Sequence, residues 1–198
     1  MNTGQMMITM AAMILLSTVI LSVNKNALTN SSSMAKNKYQ IMAVSLGTAL
    51  LEEAFGKSFD ATTAINPFTG EADRANKLND LTNYNSLGPN NLERLRREFN
   101  DFDDYNGYVD SAISASIDST ASLLQQKNGL IRSGDISEIF KIQSKVYYVD
   151  PSASVNLNKV TYRTWHKRMD VFITSCAAYN SLDLDTVKLS KVYSYYYF

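Results

Sequence analysis

His166 and Cys176 are the only residues able to form a strong nucleophile–base pair, because the chain holds one His and one Cys. They lie ten residues apart in what reads as a single strand. At ~3.3 Å per residue the strand holds them ~33 Å apart, whereas proton transfer needs ~3 Å. A thiol–imidazole dyad within one chain is excluded on that reading. A lone Cys gives no intrachain disulfide, and a lone His excludes every two-His metal motif. The Ser-rich stretches have no His nearby, and no Gly-rich phosphate loop is present. This inventory points away from an enzyme. His166 is expected on an exposed polar face, and Cys176 as a small buried hydrophobe.

The remaining cluster with chemical capacity is the run Phe99 to Asp110, with four carboxylates and two Asn side chains in twelve residues. Oxygen ligands at this density could chelate Ca²⁺, with Asp101, Asp103, Asp104 and Asn106 as the ligand set. Asp101 and Asp103 fit the alternate-position rhythm of a helix–loop–helix calcium loop; Tyr105 breaks it. The simpler reading is a tight turn. Phe102, Tyr105 and Tyr108 would dock, and the acids would be solvated or cap backbone amides.

The elements that hold these residues follow from composition. The chain has 198 residues, 45% hydrophobic and 19% charged, with 19 basic and 19 acidic side chains. That length suits one domain plus an appendage. Zero net charge gives no basic footprint for nucleic acid. No charged residue precedes Lys25, no acidic one precedes Glu52, and no Pro precedes Pro67. Met6 to Val23 is an uncharged run of eighteen residues without Gly or Pro. As a helix it spans ~27 Å, close to a bilayer's hydrocarbon core. Its apolar residues Met6, Met7, Ile8, Met10, Met13, Ile14, Leu15, Leu16, Val19, Ile20, Leu21 and Val23 cover all faces. Such a helix must be buried, in lipid or in protein.

Asn24 to Ser33 is rich in Asn and Ser, whose side chains compete for backbone hydrogen bonds, and is expected to interrupt or weaken the helix. The helix resumes by Met34 and runs to about Phe55, with Gly56 as its stop. Two apolar stripes mark this part. Tyr39, Met42, Leu46 and Leu50 form the stripe expected to pack on the head; Ile41, Val44, Leu51 and Phe55 form the other. Residues 1–56 thus read as a helical stalk and 57–198 as a strand-rich head.

Phe59 to Asn91 carries the turn signals Asn66-Pro67, Thr69-Gly70 and Gly88-Pro89, and reads as loop. Asn90 is positioned to cap a short helix over 91–99, with Glu93 at the capping-box position. Leu92, Leu95 and Phe99 would face inward, and Arg94, Arg96 and Arg97 outward. Period-two alternation places Ile142, Ser144, Val146 and Tyr148 on one face of a strand, and Trp165, Met169, Val171 and Ile173 on one face of another. Thr186 to Phe198 is a third strand and Tyr108 to Ile117 a fourth. Short strands at turn-length spacing predict an antiparallel meander covered by the amphipathic helix, an α+β fold. In the last strand Tyr193, Tyr195 and Tyr197 share one face, and Val192, Tyr196 and Phe198 the other. A strand apolar on both faces is buried on both. Either Tyr193, Tyr195, Tyr196, Tyr197 and Phe198 contribute to a subunit interface, or the Phe59–Asn91 loop covers the strand.

The layout resembles type IV pilins and their relatives: an N-terminal apolar helix, an amphipathic continuation, and a small antiparallel head. Gly4-Gln5-Met6-Met7-Ile8 looks like a prepilin processing site, with the cut between Gly4 and Gln5. The run Asn100 to Tyr108 and the ending Lys191 to Phe198 are similar to segments of bacterial pilin-like proteins. The resemblance implies a structural subunit of an extracellular helical filament, with N-terminal helices in the filament core and identical subunits as partners. It also implies membrane insertion and contact with the inner membrane and pilus assembly machinery before assembly. A membrane-anchored binding domain, or a minor pilin or pseudopilin of a secretion system, is the alternative.

Overall fold

The computed structural model describes residues 3–65, 70, 74–90, 93, 95–115, 136–153, 155–175 and 186–196. The chain divides into two compact units, Met1–Gln40 and Ile41–Phe198.

One α-helix, α1, runs from Thr3 to Phe55 without a break. The interruption expected over 24–33 does not occur. Within that stretch Thr29 finds its backbone partner inside the helix, turning its hydroxyl back to the Lys25 carbonyl at 2.9 Å. Thr9, Ser17 and Thr18, earlier in α1, make the same type of bond to Met6, Met13 and Leu15. Back-bonding of this type pairs a hydroxyl without breaking the helix. It ends as expected at Phe55, where the Gly56 N–H reaches the Glu52 carbonyl at 3.0 Å.

Among the described residues the head unit carries four strands: β1 (Val109–Ala115), β2 (Ile136–Tyr148), β3 (His166–Ser175) and β4 (Val187–Ser194). They pair antiparallel in the order β1-β2-β3-β4, the expected meander. The inward set on β2 is Phe140, Ile142, Ser144, Val146 and Tyr148, all buried. Opposite Tyr148 on β3 stands Lys167, and opposite Val146 stands Met169. The inward face of β3 is therefore Lys167, Met169, Val171 and Ile173.

The last turns of α1 pack on this sheet through Ala43, Gly47, Leu50, Leu51 and Ala54. The buried face runs between the two stripes read from the sequence. Leu50 is buried, Met42 and Leu46 are half-buried, and Ile41 and Val44 are exposed. Tyr39 belongs to the other unit and is half-buried. Small residues at the centre bring the helix backbone close to the strands. A Cβ at Gly47 would lie 2.6 Å from Ile173 Cδ1 and 2.7 Å from Leu189 Cδ1. Gly47→Ala is expected to be tolerated, because both neighbours are side-chain ends and Ala recovers ~0.5–1 kcal/mol of helix propensity. Gly47→Leu is expected to cost ~1–3 kcal/mol by overpacking, read as a lower urea midpoint for the full chain in detergent.

Between α1 and β1 the chain forms short 3₁₀ turns, at Ala61–Thr63, Leu78–Asp80, Arg96–Glu98 and Asp103–Tyr105. The helix expected over 91–99 reduces, among the described residues, to the turn at Arg96–Glu98. Glu93 does reach back to the Asn90 N–H at 2.9 Å, the capping contact read from the sequence. Phe99 faces inward as expected, but Leu95 is 49% exposed. Arg96 is not a solvated face. Its guanidinium grips Glu53 of α1 with two nitrogens and lies over the Tyr108 ring at 5.8 Å. Leu92 and Arg94 lie outside the described residues.

Candidate functional site

Thr3 to Val23 presents the apolar surface read from the sequence. The large residues of the run, from Met6 to Val23, are 49 to 75% exposed. The helix has an eighteen-residue window of mean hydropathy 2.3 and is long and apolar enough to cross a membrane. Gly4 lies in its first turn, where an added Cβ would meet nothing within 4 Å. Packing within this chain does not demand a glycine there. Gln5 beside it is exposed.

The acidic turn is buried rather than solvated. Asp101, Asp103 and Asp104 are at most 2% exposed, and Phe102 and Tyr105 dock fully beneath them. Phe102 N–H donates to the Ser58 carbonyl at 2.9 Å, which ties the turn to the segment after α1. Tyr105 hydroxyl donates to Glu53 at 2.8 Å. Gly107 follows with φ +79°, a left-handed conformation that a side chain would strain, and its N–H donates to Ser144 of β2. The acids do cap backbone amides. Asp104 Oδ2 accepts from the N–H groups of Asn100 and Asp101, and Asp101 Oδ1 from that of Asp103.

The geometry does not fit the calcium set. Asn106 Oδ1 accepts from Val146 N–H at 3.0 Å, and its amide nitrogen donates to the Leu87 carbonyl. Asp103 Oδ1 is held by Lys167. Among the described residues no group of three or more His, Cys, Asp and Glu is placed to hold a metal ion. Calcium takes about 6–8 oxygens; here one oxygen each of Asp101, Asp104 and Asn106 is spent on backbone amides and one of Asp103 on a lysine.

That lysine is the residue the sequence reading passed over. Lys167 is 0% exposed, at an inward position of β3. Its ammonium donates to Asp60 Oδ2 at 2.6 Å, to Asp103 Oδ1, and to the Phe59 carbonyl at 2.9 Å. It also lies 4.5 Å from the Phe59 ring centroid and 5.2 Å from that of Tyr148. Asp60 comes from the segment read as loop. Its carboxylate further accepts from Thr62 and Thr82, including the Thr82 N–H at 3.0 Å. The available signal was parity. A Lys between Trp165 and Met169 on the apolar face of a strand must either break the strand or find buried acids.

Among the described residues three oxygens in this cluster have no hydrogen-bond partner: Asp101 Oδ2, Asp103 Oδ2 and Asp104 Oδ1. A buried carboxyl without a partner disfavours its charged form. Burial, with Asp103 and Asp104 close by, pushes Asp101 up to about 8. Burial also raises Asp103 against the pull of Lys167, and raises Asp104 to about 6. Burial works on Asp60 too, but the charge and hydrogen bond of Lys167 and the Thr amides outweigh it and hold the group low. The sign follows from linkage. Asp101 keeps its proton in the folded head over a range where the unfolded chain, titrating near ~3.9, has lost it. Its contribution is therefore fully present below that unfolded value and is lost as pH rises to about 8. The melting temperature is expected to fall across that window. Asp101→Asn should flatten the slope and raise the melting temperature at the alkaline end, by ~2–4 °C per kcal/mol recovered.

Tyr193 and Tyr195 serve the head's own core. Tyr193 stacks on Phe55 at 5.0 Å and meets Phe59 and Phe102 edge-on. Tyr195 stacks on Trp165 at 5.7 Å. Phe59, Ala75 and Leu81 of the long loop pack in the same cluster, so the loop covers this face of β4. Tyr196 is 70% exposed, while Tyr197 and Phe198 lie outside the described residues. His166 is half-buried, with Nδ1 2.8 Å from Ser194 Oγ, and Cys176 lies outside the described residues. On the outer face of the sheet Asp170 joins Tyr147, Arg168, Lys188 and Ser190, which holds its carboxylate low. No family model, curated protein or solved structure matches the chain.

Proposed function

We propose that the chain is a pilin-like structural subunit of an extracellular helical filament. The apolar face of α1 over Met6 to Val23 carries this reading. Water cannot face that surface on every side, so the working protein must cover it. Lipid covers it before assembly; neighbouring copies of the same helix cover it in the filament. A head-to-tail contact between copies that does not close generates a helical polymer rather than a ring. The exchange is close to balanced, because lipid tails are as apolar as the partner helices. The head then forms the outer layer, with its charge network and polar loop toward solvent. On this reading processing falls between Gly4 and Gln5, in the open first turn of α1.

Negative-stain imaging of material sheared from cells that express the chain tests this. Uniform thin fibres that contain the chain are expected. Recovery solely from detergent-solubilised membranes, with no fibres, would support the anchored binding domain instead.

A further inference from the structure

The structure assigns a covalent role to the buried lysine: we propose that Lys167 Nζ condenses with the carboxyl of Asp103 to form an intramolecular amide cross-link between β3 and the acidic turn.

Nζ touches Asp103 Oδ1 and Asp60 Oδ2, and all three side chains are at most 2% exposed. The amine is thus held against one carboxyl group as a candidate electrophile and a second as a candidate base. Holding reactants at contact converts a slow bimolecular condensation into a fast unimolecular one. Water, which would oppose condensation by mass action, is kept from a 0% exposed Lys167 whose Nζ lies against the rings of Phe59 and Tyr148. Condensation requires the proton shared between Nζ and Asp103 to sit on the carboxyl, and a desolvated site favours such a neutral pair over separated charges. The raised affinity of Asp103 for its proton is in the same direction.

The step balances without any further reagent. The Nζ lone pair attacks Asp103 Cγ, and the proton shed by nitrogen passes to Asp60 Oδ2, 2.6 Å from Nζ. Asp60 returns that proton to the departing hydroxyl of Asp103. One N–C bond forms, one C–O bond breaks, and one water leaves. Asp60 is suited to the base role because Thr62, Thr82 and Tyr148 fix its carboxylate from other directions. Asp103 is the electrophile because Lys167 is the one group on its carboxyl among the described residues: Oδ1, which takes the shared proton, departs as water, and Oδ2, which has no hydrogen-bond partner, becomes the amide oxygen. The link would close a loop of 64 residues that contains β1 and β2. A head in a surface filament bears tension, and a bond there keeps the turn from being pulled off the sheet. The cross-link does not depend on the filament reading.

Intact mass spectrometry of the purified full chain in detergent, followed by peptide mapping, decides the matter. We expect a mass one water below that of the same chain without the link. A branched tryptic peptide should contain both Asp103 and Lys167, with no cleavage after Lys167. Asp60→Asn should restore the unlinked mass while the head stays folded by near-UV circular dichroism. If Asp60→Asn unfolds the head, the wild-type mass and map still decide. An uncondensed wild-type mass, with Lys167 acetylated by an amine reagent after denaturation, would overturn the proposal. A branch that maps to Asp60 rather than Asp103 would overturn the assignment of the electrophile.

Discussion

Replacement of Lys167 by methionine is expected to destabilise the head by at least ~3–5 kcal/mol, the usual cost of removing one partner from a buried ion group, and loss of the Lys167–Asp103 link adds to it. The methionine fills most of the same volume, so the effect is electrostatic. Asp60 and Asp103 would face each other with no cation between them, both nearly inaccessible to water. A domain's whole stability is ~5–15 kcal/mol, so the variant should populate unfolded chain at moderate urea. Protonation of the stranded acids relieves the conflict, so the loss should shrink as pH is lowered. Adding Asp60→Asn and Asp103→Asn to Lys167→Met should recover a large part of it, because neutral side chains need no counter-ion. Urea titrations of the wild-type, single and triple chains in detergent at two pH values check both statements. Equal losses for single and triple variants would contradict the charge argument.

Leu16→Lys is expected to abolish fibres while leaving the head folded. Leu16 is near the middle of the apolar run and is 61% exposed. A lysine at the centre of a spanning helix costs ~2.5–3.5 kcal/mol on insertion scales. In a filament the same charge would recur in every subunit, against apolar neighbours. Asn26→Lys, beyond the run, serves as the control and should assemble normally. Fibre yield by imaging and head fold by near-UV circular dichroism separate assembly from folding. Fibres at the wild-type level from Leu16→Lys would contradict burial of this surface.

Much of the head was legible in the sequence because strand parity is strict. Ile142, Ser144, Val146 and Tyr148 face inward as their alternation predicts, and Met169, Val171 and Ile173 do the same. The antiparallel order was expected from turn-length spacings and is the order observed, although the gaps 116–135 and 149–165 are longer than turns. Three features were not legible, each for a physical reason. The helix was expected to falter at 24–33 on propensity, yet it runs unbroken, with the Thr29 hydroxyl back-bonded inside it. The helix–sheet contact was sought among large residues; Leu50 is buried as expected, but so are Ala43, Gly47 and Ala54, and at Gly47 the side chains of Ile173 and Leu189 come within 2.7 Å of an added Cβ. The acidic turn was weighed as a metal loop or a solvated cap. Its real partner, Lys167, lies 64 residues away, and Asp60 comes from a segment with no periodic signal. Long-range pairing of this type leaves no local spacing to read. The C-terminal tyrosines show the same limit. Alternation placed Tyr193 and Tyr195 together, but which surface covers them depended on Phe55 and Trp165.

The most direct test of the filament account is a helical reconstruction, at side-chain resolution, of fibres sheared from cells expressing the chain. The account predicts Met6 to Val23 packed against the same segment of neighbouring copies along the filament axis, with the four-stranded head outside. Fibres built through the heads, with the apolar helix still in lipid or detergent, would contradict it.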